Sequence, residues 1–264
     1  MRKFAAILYD TTLEILHRKM LYLYGGVTVL MTLIFIVIPG ISINGHGIID
    51  NDPTAQAFVG TLVARFLSGY IGFAMFLMVF GSAGLLPSYL NKGRVELNIS
   101  KPISRPGLLL MKFFAVYLVM IAILALMCLP LWVVLSIRLE GLLWSFLPGL
   151  LIAFIEFLII YSIVFLLGLA SQSTAVAIIG YFALSFGSGL LAKREFVYNL
   201  LGETWQTVLN TIYHILPKMD EVSDNIISLT QGEGLANFYA IWSSLLFAAV
   251  MMFLAVYIFG KKDY

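Results

Sequence analysis

Few side chains in this sequence could do chemistry, and their spacing decides which chemistry is open to them. The three histidines, His17, His46 and His214, stand far apart with no ligand-like spacing around any of them. There is no HExxH helix to hold zinc and no GxSxG turn to present a nucleophile. No GxxxxGK[ST] loop is present to cradle a triphosphate, so this chain cannot bind ATP through that motif. Methionines such as Met75, Met78, Met111, Met120, Met127, Met251 and Met252 are scattered through apolar runs, which fits packing better than copper ligation. The single cysteine, Cys128, also lies in an apolar run and can form no intrachain disulfide. No catalytic residue, metal ligand or resident cofactor is expected, and a membrane enzyme is the last of the readings for want of a constellation.

One ionisable residue is out of place among apolar neighbours. Glu156 sits midway along LLIAFIEFLIIYS. A charge at the centre of a membrane helix costs roughly 2.5–3.5 kcal/mol on insertion scales, so such residues face protein or a water-filled path rather than lipid. Two roles stay open: a protonated carboxyl bonded to a neighbouring Ser or carbonyl, or a group that pairs with a cation in transport. Arg65 is the one nearby basic candidate.

The elements that hold these residues follow from composition. The 264 residues are 61% apolar and 11% charged, against roughly 45–50% and about 25% in soluble domains. The mean hydropathy of +0.98 agrees. So few charges cannot cover a water-exposed surface, which excludes a soluble enzyme, a disordered tail and a secreted disulfide scaffold. Six apolar runs, at about 21–43, 62–88, 108–137, 142–170, 173–191 and 236–260, are long enough to span a bilayer as helices. Residues 1–20 mix charge with apolar positions Phe4, Ile7, Leu8 and Ile15 at helical spacing. They predict an amphipathic helix in the membrane interface, with Arg2, Lys3, Arg18 and Lys19 toward the headgroups. The N-terminus does not read as a cleavable signal. The expected fold is all-α, one transmembrane domain over 1–264.

Basic residues orient it. With both termini in the cytoplasm, the cytoplasmic side holds 11 of the 16 Lys and Arg, and the outer side holds 5 against nine acids. Two connections then exceed simple turns: cytoplasmic 89–107 and extracytoplasmic 192–235. In the second, Leu200, Leu201, Trp205, Val208, Leu209, Ile212 and Leu216 recur at helical steps, which predicts an amphipathic helix near 196–216 ended by Pro217. The stretch is expected as one or two amphipathic helices packed on the outer face of the bundle, a surface for any extracytoplasmic partner. Small residues at Gly60, Ala64, Ser68 and Gly72, and at Ala175, Ala183 and Gly187, would let helices approach closely within the fold or across a dimer.

In the cytoplasmic connection, Gly93-Arg94-Val95-Glu96-Leu97 is followed by Ser100-Lys101-Pro102-Ile103-Ser104-Arg105 and then Lys112. This segment resembles the coupling-helix region of type-2 ABC exporter permeases, with G-x-x-E-L, then P-[IV]-S-R and a Lys opening the next span. The chain end Phe259-Gly260-Lys261-Lys262-Asp263-Tyr264 is similar to that family's closing signature. The resemblance implies a permease subunit in the inner (cytoplasmic) membrane, working as a dimer with a second permease chain, a homodimer by expectation. Two copies of a separate ABC ATPase would carry ATP and magnesium and dock on the short helix around 94–100. Arg94, Glu96, Leu97, Ile99 and Arg105 would make that contact. The partners are then protein and the lipid bilayer, with no nucleic acid. A proton-coupled secondary transporter using Glu156 and a non-transporting membrane scaffold are the competing classes.

Overall fold

The structure, a computed structural model, describes residues 2–37, 42–43, 46–47, 53–90, 104–138, 143–194 and 203–261. The helices, in chain order, are α1 (Arg2–His17), α2 (Met20–Val37), α3 (Pro53–Ala83), α4 (Leu85–Tyr89), α5 (Arg105–Arg138), α6 (Phe146–Ser171), α7 (Thr174–Ala192), α8 (Glu203–Ile215), α9 (Met219–Gln231) and α10 (Phe238–Lys261). Among the described residues the extended structure is limited to a two-residue antiparallel pairing of Ser42–Ile43 with His46–Gly47. The all-α expectation holds, and the reason is solvent: apolar surroundings leave a backbone to satisfy its own N–H and C=O groups, which a helix does within one segment.

Five helical stretches are long and apolar enough to cross a membrane, and a sixth counts if α1 and α2 are one broken span, bent by 69°. A bend of that size is what joins a helix along the bilayer normal to one lying near its plane. The expected runs agree with α2 to α7 and α10 to within a few residues, with two exceptions: no helix among the described residues covers 38–43, and α3 starts at Pro53, nine residues before the run expected from 62.

At about 1.5 Å per residue, α6 is roughly 39 Å long. It is the central helix, apolar on all sides, with α3, α5, α7, α9 and α10 packed around it. Phe113 of α5 stacks on Tyr161 (5.0 Å between centroids) and meets Phe165 edge-on (5.1 Å), the aromatic centre of the core. Pro130 lies inside α5 without ending it, and Pro148 sits in the first turn of α6, where its missing N–H leaves no gap. Gln172, left-handed at φ 55°, turns α6 into α7.

The helices alternate in direction. One end of the bundle, the near end, gathers α1 with the end of α4 and the start of α5. The opposite, far end gathers the start of α6 with α9, and the end of α7 with the approach to α9. From the far end α10 runs back for about 36 Å, so α1 and the end of α10 both lie at the near end.

Candidate functional site

Two polar clusters interrupt the apolar bundle. At the near end α1 presents Ile7, Thr11, Glu14, Ile15 and Arg18 to its neighbours, and Thr11 and Ile15 are buried. The i, i+3, i+4 spacing puts these on one face. Lys112 of α5, only 1% exposed, donates to Thr11 Oγ1 (3.0 Å) and Glu14 Oε2 (3.1 Å), and its ammonium lies 5.0 Å from the ring of Tyr89. Glu14 Oε1 accepts from Ser88 of α4 (2.8 Å) and from Arg18 (3.3 Å). Arg18 also donates to Ser88 Oγ (2.9 Å) and to the carbonyl of Gly84 (3.1 Å). A Cβ on Gly84 would stand 2.9 Å from the Arg18 guanidinium, so glycine keeps this approach open. Burial pushes the Glu14 carboxyl up, but the Lys112 charge, the Ser88 hydroxyl and Arg18 outweigh it and hold it below its ordinary 4.5. Arg18 therefore does not extend to the headgroups as expected; the buried Glu14 and the open Gly84 carbonyl draw it into the bundle.

The second cluster lies in the far half. Helix α9 was expected on the outer face; instead it inserts between α3, α6 and α7, burying Met219, Val222, Asn225, Ile226 and Thr230. A Cβ on Gly149 of α6 would meet Thr230 Oγ1 at 2.5 Å and the Ile226 carbonyl at 3.2 Å, so glycine is what lets α9 approach so closely. Deeper along the same contact, Ser223 donates to Glu156 Oε1 (2.7 Å). Glu156 is 4% exposed, and its Oε2 has no hydrogen-bond partner among the described residues. It lies about 15 Å along α6 from Phe146, so α9 reaches well into the bundle.

Polar contacts fasten both ends of α9. Asn225, fully buried, donates to the carbonyls of Glu221 (2.9 Å) and Asn237 (3.0 Å) and accepts from the Asn237 N–H (2.8 Å). Before α9, Lys218 N–H donates to Ser244 of α10 (2.8 Å), while Ser188 of α7 donates to the Pro217 carbonyl (2.7 Å). Tyr213 of α8 donates to Glu221; burial and that neighbouring carboxylate push its phenol up to about 12, so it keeps its proton at neutral pH. The Arg194 guanidinium stacks 3.5 Å from the Tyr213 ring, and the Lys218 ammonium lies 4.5 Å from the same ring.

Helix α8 differs from expectation in the face it turns. Trp205, Val208 and Ile212 were to cover the bundle, yet they are exposed, and Tyr213 is the buried anchor. Cation stacking and the Glu221 bond hold the tyrosine side inward, and the apolar stripe is left outward, as on a helix lying in a membrane interface. Residues 195–202, with Leu200 and Leu201, lie outside the described residues.

Of the expected coupling residues, Arg94, Glu96, Leu97 and Ile99 lie outside the described residues, and Arg105 is exposed in the first turn of α5. Glu156 faces Ser223 and not Arg65. The small residues of α3 form no tight seam in this chain: a Cβ on Gly60 or Gly72 would meet nothing within 4 Å. Gly60 and Ala64 line one cavity, and Ser68 and Gly72 line another. On α7, Ala175 and Ala183 are exposed, and a Cβ on Gly187 would also meet nothing. The near-end cluster went unread in the sequence, although polar residues at 11, 14 and 18 on the apolar face of α1, with a lysine two turns into α5, were its signal.

This chain is a multi-pass helical membrane protein. No family model matches it, and no curated protein matches it.

Proposed function

We propose that this chain is the membrane subunit of an ATP-driven exporter of the type-2 permease class. A second copy completes the pathway, and a separate ATPase chain supplies nucleotide and magnesium. The near-end cluster is the observation that carries this reading. Glu14 bonds at once to Ser88 at the end of α4 and to Lys112 near the start of α5. These are the two elements that the 91–103 segment joins. A push on that segment would therefore move α1, α4 and α5 as one body, which a loop serving only as a connection does not require. The excess of basic residues assigns this end to the cytoplasm, where an ATPase resides. Arg105 is exposed where α5 begins, directly after that segment, and on this reading Arg94, Glu96, Leu97 and Ile99 would make the ATPase contact with it.

The test is co-purification of the full chain with a separate ABC ATPase from the same cells, together with ATP-dependent transport in proteoliposomes. Glu96→Ala and Arg105→Ala should insert normally but weaken ATPase association or separate hydrolysis from transport. Normal binding and transport by both variants would overturn the docking assignment.

A proton-coupled carrier is favoured by one observation, the buried Glu156 with an unpartnered oxygen. Glu156→Gln separates the two: transport driven by a proton gradient without ATP, and lost in this variant, would replace the exporter reading. Full transport with normal assembly leaves Glu156 a packing role on Ser223.

A further inference from the structure

Between α3 and α9 a cavity of about 420 Å³ opens in the far half of the bundle, within the range of small-molecule sites. Its cationic and amide groups lie toward the far end, while the hydroxyls of Ser68 and Ser223 line it further down. Arg65 stands near the far end of α3, and Gln231 closes α9 at the same height, next to Thr230, whose carbonyl accepts from Ser145 ahead of α6. Among the described residues no acid pairs with Arg65. Below them the lining is mostly apolar: Met75 lies about 15 Å further down α3, with Ile226 and Ile227 of α9, and the deeper hydroxyl, Ser223, is already committed to Glu156. The side wall carries no side chains to close it. Gly69 and Gly72 are exposed, and a Cβ on either would meet nothing within 4 Å. The cavity thus has a cationic rim toward the far end of the bundle, a mostly apolar floor at depth and a side left open at Gly69 and Gly72.

We propose that this groove is a binding site for an anionic amphiphile, its carboxylate or phosphate on Arg65 and Gln231 and its acyl chain along Gly69 and Gly72 toward Met75 and Ile226. The arginine fork matches a two-oxygen anion, which an ammonium headgroup does not. The chain gains little by leaving lipid, since acyl tails are as apolar as the groove. Selection therefore falls on the head, and a ligand of equal chain length without the charge is held no better than bulk lipid. The surrounding bilayer supplies such molecules from the side. This site does not depend on the exporter reading.

The full chain in phosphatidylcholine bilayers is to be titrated with doxyl-labelled stearic acid, its methyl ester and a labelled alkyl phosphate of the same length, at alkaline pH. The motionally restricted fraction in the electron paramagnetic resonance spectrum measures binding. The acid, the phosphate or both should be preferred over the ester by about tenfold, and whichever is preferred identifies the head. Arg65→Gln should remove the preference and Arg65→Lys should retain part of it. Gly72→Leu should also abolish it by filling the slot, with Arg65 still in place; the open space around Gly72 makes this variant compatible with folding. Equal binding of acid and ester by the native chain overturns the proposal. A preference that survives Gly72→Leu overturns it equally, and that variant decides the matter if Arg65→Gln does not fold.

Discussion

Removing the Glu14 carboxylate should cost more stability than removing its lysine, although the two form one ion pair. Breaking one side of a buried pair costs about 3–5 kcal/mol, because the other charge is stranded. The environments here are unequal. In Lys112→Met, Glu14 keeps Ser88 at 2.8 Å and Arg18 at 3.3 Å, and its side chain is 10% exposed. Its loss should fall to about 2 kcal/mol, the worth of a hydrogen bond to a charged group. In Glu14→Gln, Lys112 stays 1% exposed with no anion beside it, only the Thr11 hydroxyl, the Tyr89 ring and a neutral amide oxygen at position 14 to receive its charge. That loss should take the full 3–5 kcal/mol. At roughly 2–4 °C per kcal/mol for a chain of this size, the melting temperature in detergent or nanodiscs should drop by about 6 °C for Lys112→Met and by about 10 °C or more for Glu14→Gln. The double variant should be more stable than the sum of the two predicts by about 2 kcal/mol, since neither charge is then stranded. Strict additivity, or Lys112→Met as the worse variant, would refute the cluster as drawn.

The same carboxyl sets a pH dependence. Its folded value is depressed below 4.5, so its contribution is full above that value and is lost as pH falls through the folded value; melting curves from neutral to acid should show this slope in the native chain and not in Glu14→Gln. Asn225→Ala removes three hydrogen bonds and strands the Asn237 N–H and carbonyl, which should cost about 2–4 kcal/mol and raise proteolysis between α9 and α10. Gly149→Leu should push α9 off α6, read as new accessibility of a cysteine placed at Ser223 to a membrane-permeant thiol reagent. Cysteines at Ser42 and Asp263 should label from opposite sides of the membrane, and labelling from the same side would overturn the topology.

Run length and composition alone determined the helical membrane class, the span count to within one of the five or six candidates, and most of the span ends. The reason is that the bilayer acts on the chain locally: about 20 apolar residues in sequence are enough to specify a span. Even the α6–α7 turn at 171–172 was legible, since two spans leave no other room there. What the sequence could not decide was which side chains would find one another. Arg18 read as a headgroup contact because flanking cations ordinarily are, and only the packing of α1 on α4 and α5 revealed a better partner in Glu14 and the Gly84 carbonyl. The small residues of α3 carried the pattern of a helix seam, but that pattern records only absent side chains. Whether the space is filled by a neighbouring helix or left as a cavity depends on where α9 comes to rest. The placement of α9 is itself tertiary: its sequence is that of a surface amphipathic helix, and Gly149, Ser223 and Asn225 give it a buried berth through contacts 12 to 81 residues apart in the chain. Local periodicity fixes a helix and its faces, whereas the partner of each face is set by which helices the folded bundle brings together.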